Sequence, residues 1–399
     1  MTDVAAPAKE ETKEPVAEVT GPVSEAWKDL SPLRWYLAVI QLFLFVMYLI
    51  TTANGKQTVY DADPANAVIR AQQGYTMFTG IEIMMFVGFG YLMTFMKYYG
   101  VSAVGFTMLI TALGLQWAVL TEAFCHQWIH LGEDGVDKDW HYINVDIFAL
   151  MDALFAISAV LITFGALIGK ISPKQMIIIT FVELFLHSVN FKMVLGKLGV
   201  SDMGGTYIDH MFGAYFGLAV SYMLPKPTSE PADYRSSDLF SLIGTVFLWI
   251  YWPSFVSGAA EPGSSAQQMG IVNTILALSS STIAAFILSS FYDKEGKLRP
   301  VDIQNATLAG GVSIGCVANM NIHCSGAIGI GFVAGAVSTY GFNVIQDKLD
   351  TWGIHDTCGI HNLHAIPSII GAIASVIVCL IDNENIDVLS KADANPKEQ

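Results

Sequence analysis

The sequence predicts an all-α integral membrane protein of about eleven transmembrane helices, and two observations carry that prediction. Residues of the hydrophobic class make up 53% of the 399 residues and charged residues only 14%, where an ordinary soluble domain carries about 25% charge. The apolar residues also gather in runs near twenty long, the length that crosses about 30 Å of hydrocarbon. A soluble fold of this size has too little interior to hide so much apolar surface.

Residues 1–33 are polar, rich in Ala, Glu, Pro and Lys, and lack apolar periodicity, so disorder is expected there. Residues 34–382 are expected to form a single transmembrane domain, followed by a polar tail at 383–399. The first apolar run, 35–53, has Thr51-Thr52-Ala53 at its end as a possible cleavage site. Its length and its long acidic leader instead read as a membrane span. Four more runs follow at 79–97, 101–125, 142–168 and 174–193, and then 203–225, 238–257 and 268–291. The spans at 302–319 and 326–346 are rich in glycine. Gly311/Gly315 and Gly331/Gly335 have the small-xxx-small spacing that lets helices approach closely. The last span is 360–382. Asn305-Ala306-Thr307 matches a glycosylation acceptor but lies inside a span, which rules it out.

With the N-terminus in the cytoplasm, inner loops hold eleven Lys and Arg against seven in outer loops and tail, leaving aside the distant Lys9 and Lys13. That bias favours N-inside, C-outside in the cell membrane. The balance of 20 basic to 35 acidic residues, net -15, excludes nucleic acid and a polybasic grip on anionic lipid. Five scattered cysteines with no CxxC pair read as buried small residues, and no metal or cofactor set is expected.

One polar pattern repeats. Asp202 precedes the sixth span with His210 eight residues later, and Asp356 precedes the eleventh with His364 eight residues later. Eight helical residues rise about 12 Å, nearly to the bilayer midplane. The sixth and eleventh spans enter from opposite faces, so the two histidines are expected to meet at the centre of an inverted repeat. Either Asp alone also reads as a helix cap, and a lone intramembrane His as a satisfied core residue. Two at matching depth point to function. His361 and His364 lie three apart, as metal ligands can, but no partner set completes a site.

Longer motifs then resemble the Rh branch of the ammonium transporter superfamily. They are Met85-Phe86-Val87-Gly88-Phe89-Gly90 with Leu92-Met93-Thr94-Phe95, Phe212-Gly213-Ala214-Tyr215-Phe216-Gly217-Leu218, and Phe247-Leu248-Trp249-Ile250-Tyr251-Trp252-Pro253-Ser254-Phe255. To these add Ile303-Gln304-Asn305-Ala306-Thr307-Leu308-Ala309-Gly310-Gly311 and Asp356-Thr357-Cys358-Gly359-Ile360-His361-Asn362-Leu363-His364. The resemblance implies the ammonium transporter fold, an inverted five-helix repeat around a pore, and a homotrimer with one ammonia pore per subunit. It implies His210 and His364 as the paired pore histidines, Phe155 and Phe255 as a gate, Asp202 and Asp356 as acids that hold the pore helices near the mouths, and Glu183 at the outer vestibule. It implies no cofactor, no metal and no enzyme activity.

Several features depart from that pattern. The fifth span has no Trp between Pro173 and Val200, which implies weaker capture of the cation, and Asp209 sits beside His210 where the family usually has an uncharged residue. The additional span that eukaryotic Rh proteins carry after the second histidine is not expected here. Besides an ammonia channel, the sequence leaves three readings: a CO2 channel through the same pore, a non-conducting sensory or structural protein, and an intramembrane metalloenzyme using His355, His361 and His364.

Overall fold

The computed structural model describes residues 32–53, 64–95, 100–130, 140–226 and 235–381. The expected N-terminal disordered segment, up to residue 31, and the tail 383–399 lie outside the described residues.

Among the described residues eleven helical rods follow one another: α1 (Leu33–Thr51), α2 (64–95), α3 (Gly100–His130), α4 (Ile147–Leu167), α5 (Pro173–Lys197) and α6 (206–223), then α7 (Arg235–Ser257), α8 (Ser265–Tyr292), α9 (300–317), α10 (Cys324–Thr351) and α11 (His361–Ile381). Among the described residues the only β pairing is one isolated bridge, Thr52 with Ile143. Nine of the rods have a stretch long and apolar enough to cross a membrane. The two others, α6 and α9, are interrupted in their apolar character by buried polar groups: Asp209 and His210 on α6, and Asp302, Gln304 and Asn305 on α9. Short 3-10 turns at Ala306–Leu308 and Gly315–Val317 also interrupt α9. The first rods start and stop away from the hydropathy limits. α2 begins at Pro64 rather than near 79, because its first turns hold Asn66, Arg70, Gln72 and Gln73, which hydropathy discounts.

Local chemistry sets many of the ends. Asp146 caps α4 by accepting the Ala149 N–H at 2.8 Å. Ser172 and Gln175 form a capping box at the start of α5, where Pro173 fits the first turn. α4 is buried on every face from Ala153 to Leu167, which suits a helix apolar all round at the centre of a bundle. α1, by contrast, buries only Leu33 and Leu44. Glycines allow the closest crossings: a Cβ on Gly310, Gly331 or Gly335 would run into the α8 backbone at Ala277 or Ser281. The small-residue spans thus pack tightly on α8.

Candidate functional site

Helices α6 and α11 begin the same way. Asp202 Oδ1 accepts the Thr206 N–H at 2.7 Å, and Oδ2 accepts those of Tyr207 at 2.7 Å and Ile208 at 3.0 Å. Asp356 accepts the N–H groups of Ile360 at 3.0 Å and His361 at 2.9 Å. Both carboxylates are buried and satisfy the free donors of a helix start. Three residues after each Asp comes a glycine in the left-handed region, Gly205 (φ 67°) and Gly359 (φ 72°). A Cβ would strain that backbone, and it would strike the Asp209 carboxylate at Gly205 and the Phe342 ring at Gly359. Each helix then opens with a π turn, Thr206–Met211 and His361–Ala365, that carries its histidine. The repeat read from the sequence as Asp and His is therefore Asp, Gly and His, and the glycine spacing was present in the sequence to find it.

These starts bring His210 and His364 together, with Nδ1 to Nδ1 at 3.1 Å and ring centroids 5.1 Å apart. Two imidazoles sharing one Nδ1 proton hold complementary tautomers, one presenting a bare Nε2 and the other an Nε2–H. The pair sits in a file of buried rings. Phe155 meets Phe255 edge to face at 5.0 Å, Phe255 lies 5.7 Å from His210, and Phe89 stacks 6.5 Å from His364. Trp252 stacks on His210 at 5.6 Å, and sequence reasoning missed it. Pro253 within α7 stands between Trp252 and Phe255. Phe89 lies on a third π turn, Met84–Phe89, which the alternation of apolar residues did not signal. His210 Nε2 and Trp252 Nε1 are buried without a hydrogen-bond partner, so the file offers polar atoms along otherwise apolar walls.

Glu183, expected at the outer vestibule, is fully buried, and its Oε1 accepts from Thr163 Oγ1 at 2.7 Å. Asp209 places Oδ1 2.8 Å from His187 Nε2. The three histidines weighed as metal ligands have separate partners: His355 pairs with Asp350 at 3.0 Å, His361 with Asn362 at 3.3 Å, and His364 with His210. Among the described residues no group of three His, Cys, Asp or Glu is placed to hold a metal ion.

At the end of the bundle where α11 starts, Lys170 ties three elements together. Its Nζ donates to the Ser221 carbonyl at 2.8 Å, to Ser221 Oγ at 2.6 Å and to the His355 carbonyl at 3.4 Å. Burial pulls this ammonium down to about 8, against the opposing attraction of Asp356 and Asp350.

The sequence matches the Ammonium Transporter Family over residues 38–396. It is 40% identical over 372 residues to ammonium transporter Rh type C of the dog, covering 89% of this chain and 78% of that one. With the dog's ammonium transporter Rh type A it shares 41% over 351 residues, covering 86% and 81%. Among solved structures, Nitrosomonas europaea Rh50, described among the Rhesus protein family of channels, superposes with a TM-score of 0.70 at 33% identity, covering 82% of this chain and 86% of that one. The Mep2 protein of Saccharomyces cerevisiae shares the fold at 20% identity, with a TM-score of 0.61 over 77% and 72% of the two chains.

Proposed function

Because the chain belongs to the ammonium transporter family, in its Rh branch, we propose that it conducts ammonia down its gradient along the file of rings from Phe155 to Phe89. The observation that carries this reading is the His210–His364 contact, Nδ1 to Nδ1 at 3.1 Å, buried between aromatic walls. An ionised ammonium entering such walls costs several kcal/mol or more. Neutral ammonia is small and needs only a donor or an acceptor on the way, which the complementary tautomers supply at Nε2. Ammonium gives its proton to water or buffer at one face, ammonia passes, and a proton from water or buffer restores ammonium at the other.

Each part of the site has a role in this reading. Phe155 and Phe255 close the entrance on the α6 side, and the two imidazoles form the polar midpoint. Asp202 and Asp356 fix the two helix starts that aim those imidazoles, rather than binding the cargo. The protein works as a homotrimer in the plasma membrane, with its N-terminus in the cytoplasm and a pore in every subunit.

Stopped-flow vesicle assays test the function and its main competitor together. Vesicles with the protein alkalinise faster than protein-free vesicles after mixing with ammonium, and the rate does not change with an imposed voltage. Acidification by CO2 runs at the lipid rate. Faster acidification with unchanged ammonia entry would make the pore a CO2 channel, and a current carried by ammonium would make the cargo the cation.

A further inference from the structure

Beside the His210 turn, three ionisable side chains from three helices meet. His187 Nε2 of α5 lies 2.8 Å from Asp209 Oδ1 of α6, and its Nδ1 lies 3.6 Å from Glu122 Oε1 of α3. His187 and Asp209 are each 1% exposed and Glu122 8%. Glu122 Oε1 and His187 Nδ1 have no hydrogen-bond partner. Buried ionisable groups at membrane depth are costly to keep, and they mark function by default. Apolar residues would fill the same volume at no such cost.

The turn that carries Asp209 shares one acceptor between two hydrogen bonds. The amides of Asp209 and His210 both donate to the Gly205 carbonyl, at 3.0 and 2.9 Å. One oxygen therefore serves an α-type bond and a π-type bond at once, and the turn stands between two registers. The carboxylate of Asp209 is tied to His187 while the adjacent residue carries the imidazole that meets His364. A change in the strength of the Asp209–His187 bond thus acts on the turn that aims His210.

We propose that Glu122, His187 and Asp209 form a proton-binding site behind the pore wall, and that its proton occupancy sets the register of the His210 turn and so the conductance. The coupling rests on the reading of His210 as a pore residue; proton binding at the trio does not. An imidazole between two carboxylates makes both contacts favourable only with a proton on each ring nitrogen. Loss of one proton leaves one carboxylate facing a bare nitrogen, and the pull on Asp209 changes. The other ionisable groups within electrostatic reach are Cys125 on α3, Asp146 and Asp152 at the start of α4, and Glu183 and Lys192 on α5. The rings of Phe191 and Phe212, 6.3 and 5.7 Å from the His187 ring, pack beside it.

The test compares the whole protein with the paired variant His187→Phe/Asp209→Leu, which replaces the charges by apolar groups of similar size. Ammonia flux into vesicles is measured from pH 5.5 to 8.5, where the change in free ammonia is the same for both proteins. The ratio of the two rates is expected to change at least threefold across the range. A constant ratio overturns the coupling. Asp209→Asn, which keeps shape and an acceptor oxygen, serves where the paired variant fails to assemble, and its ratio to wild type is expected to change likewise. Nitrogen-15 resonances of the His187 ring, assigned by their loss in His187→Gln, are expected to shift over the same pH interval. Shifts of a neutral imidazole throughout the range overturn proton binding. Wild-type flux no faster than lipid alone would overturn the pore reading and the coupling with it, while the His187 resonances still decide whether the trio binds a proton.

Discussion

Removal of the Asp202 carboxylate is expected to cost more stability than removal of Asp356. In Asp202→Ala three N–H groups of the helix start lose their acceptors, those of Thr206 and Ile208, which are buried, and of the half-buried Tyr207. In Asp356→Ala two do, those of Ile360 and His361. A buried donor left unsatisfied costs about 1–3 kcal/mol, so the first change costs about 3–9 kcal/mol and the second about 2–6 kcal/mol. Whole proteins are stable by only about 5–15 kcal/mol, so both variants fall near the limit of folding. Asp202→Asn keeps one acceptor oxygen and is expected to fall between wild type and Asp202→Ala. Reversible unfolding in mixed micelles, followed by tryptophan fluorescence, measures all three. An Asp202→Ala cost below about 1 kcal/mol, or one smaller than that of Asp356→Ala, would refute the capping account.

Three other outcomes follow from the same geometry. Gly359→Ala forces a Cβ into the left-handed region and into the Phe342 ring; thermal unfolding is expected to drop while Gly329→Ala, whose Cβ meets nothing within 4 Å, stays near wild type. Phe255→Ala removes a ring that touches both Phe155 and His210, and it is expected to raise methylammonium entry relative to ammonia, read by the same vesicle assay. Lys170 is held at about 8 in the fold and returns to the ordinary value of 10.5 when unfolded. Between those two pH values the unfolded chain binds more protons, so wild-type stability is expected to rise with pH relative to Lys170→Met, and denaturation at pH 8 and 10 checks the sign.

Much of this architecture was legible because membrane burial leaves a simple signature. Runs of twenty apolar residues gave all eleven rods, and polar residues placed against that background gave Asp202, His210, Asp356 and His364. The breaks in α9 were less legible, since glycine marks close packing and a bend alike: Gly310, Gly311 and Gly315 all pack closely, and Gly315 also sits in a 3-10 turn. The burial of Glu183 was not legible either. One acid in an amphipathic stretch gives no hint whether it faces water or, as here, a threonine on the neighbouring helix. The Glu122–His187–Asp209 trio was invisible for a related reason. Its members come from three helices, and only Asp209 stood out, by its place beside His210. Trp252 was in view as part of a motif, but which ring a tryptophan inside a span stacks on is set by the packing of α7 against α6, which spacing does not give.

The most direct measurement is the ammonia permeability of vesicles holding His210→Trp beside those holding wild type, with protein-free vesicles as the floor. An indole at that position fills the space between the two imidazole-bearing helices. Wild type is expected well above the floor and His210→Trp at it, with both proteins folded by circular dichroism. A wild type at the floor, or a His210→Trp as fast as wild type, would contradict it.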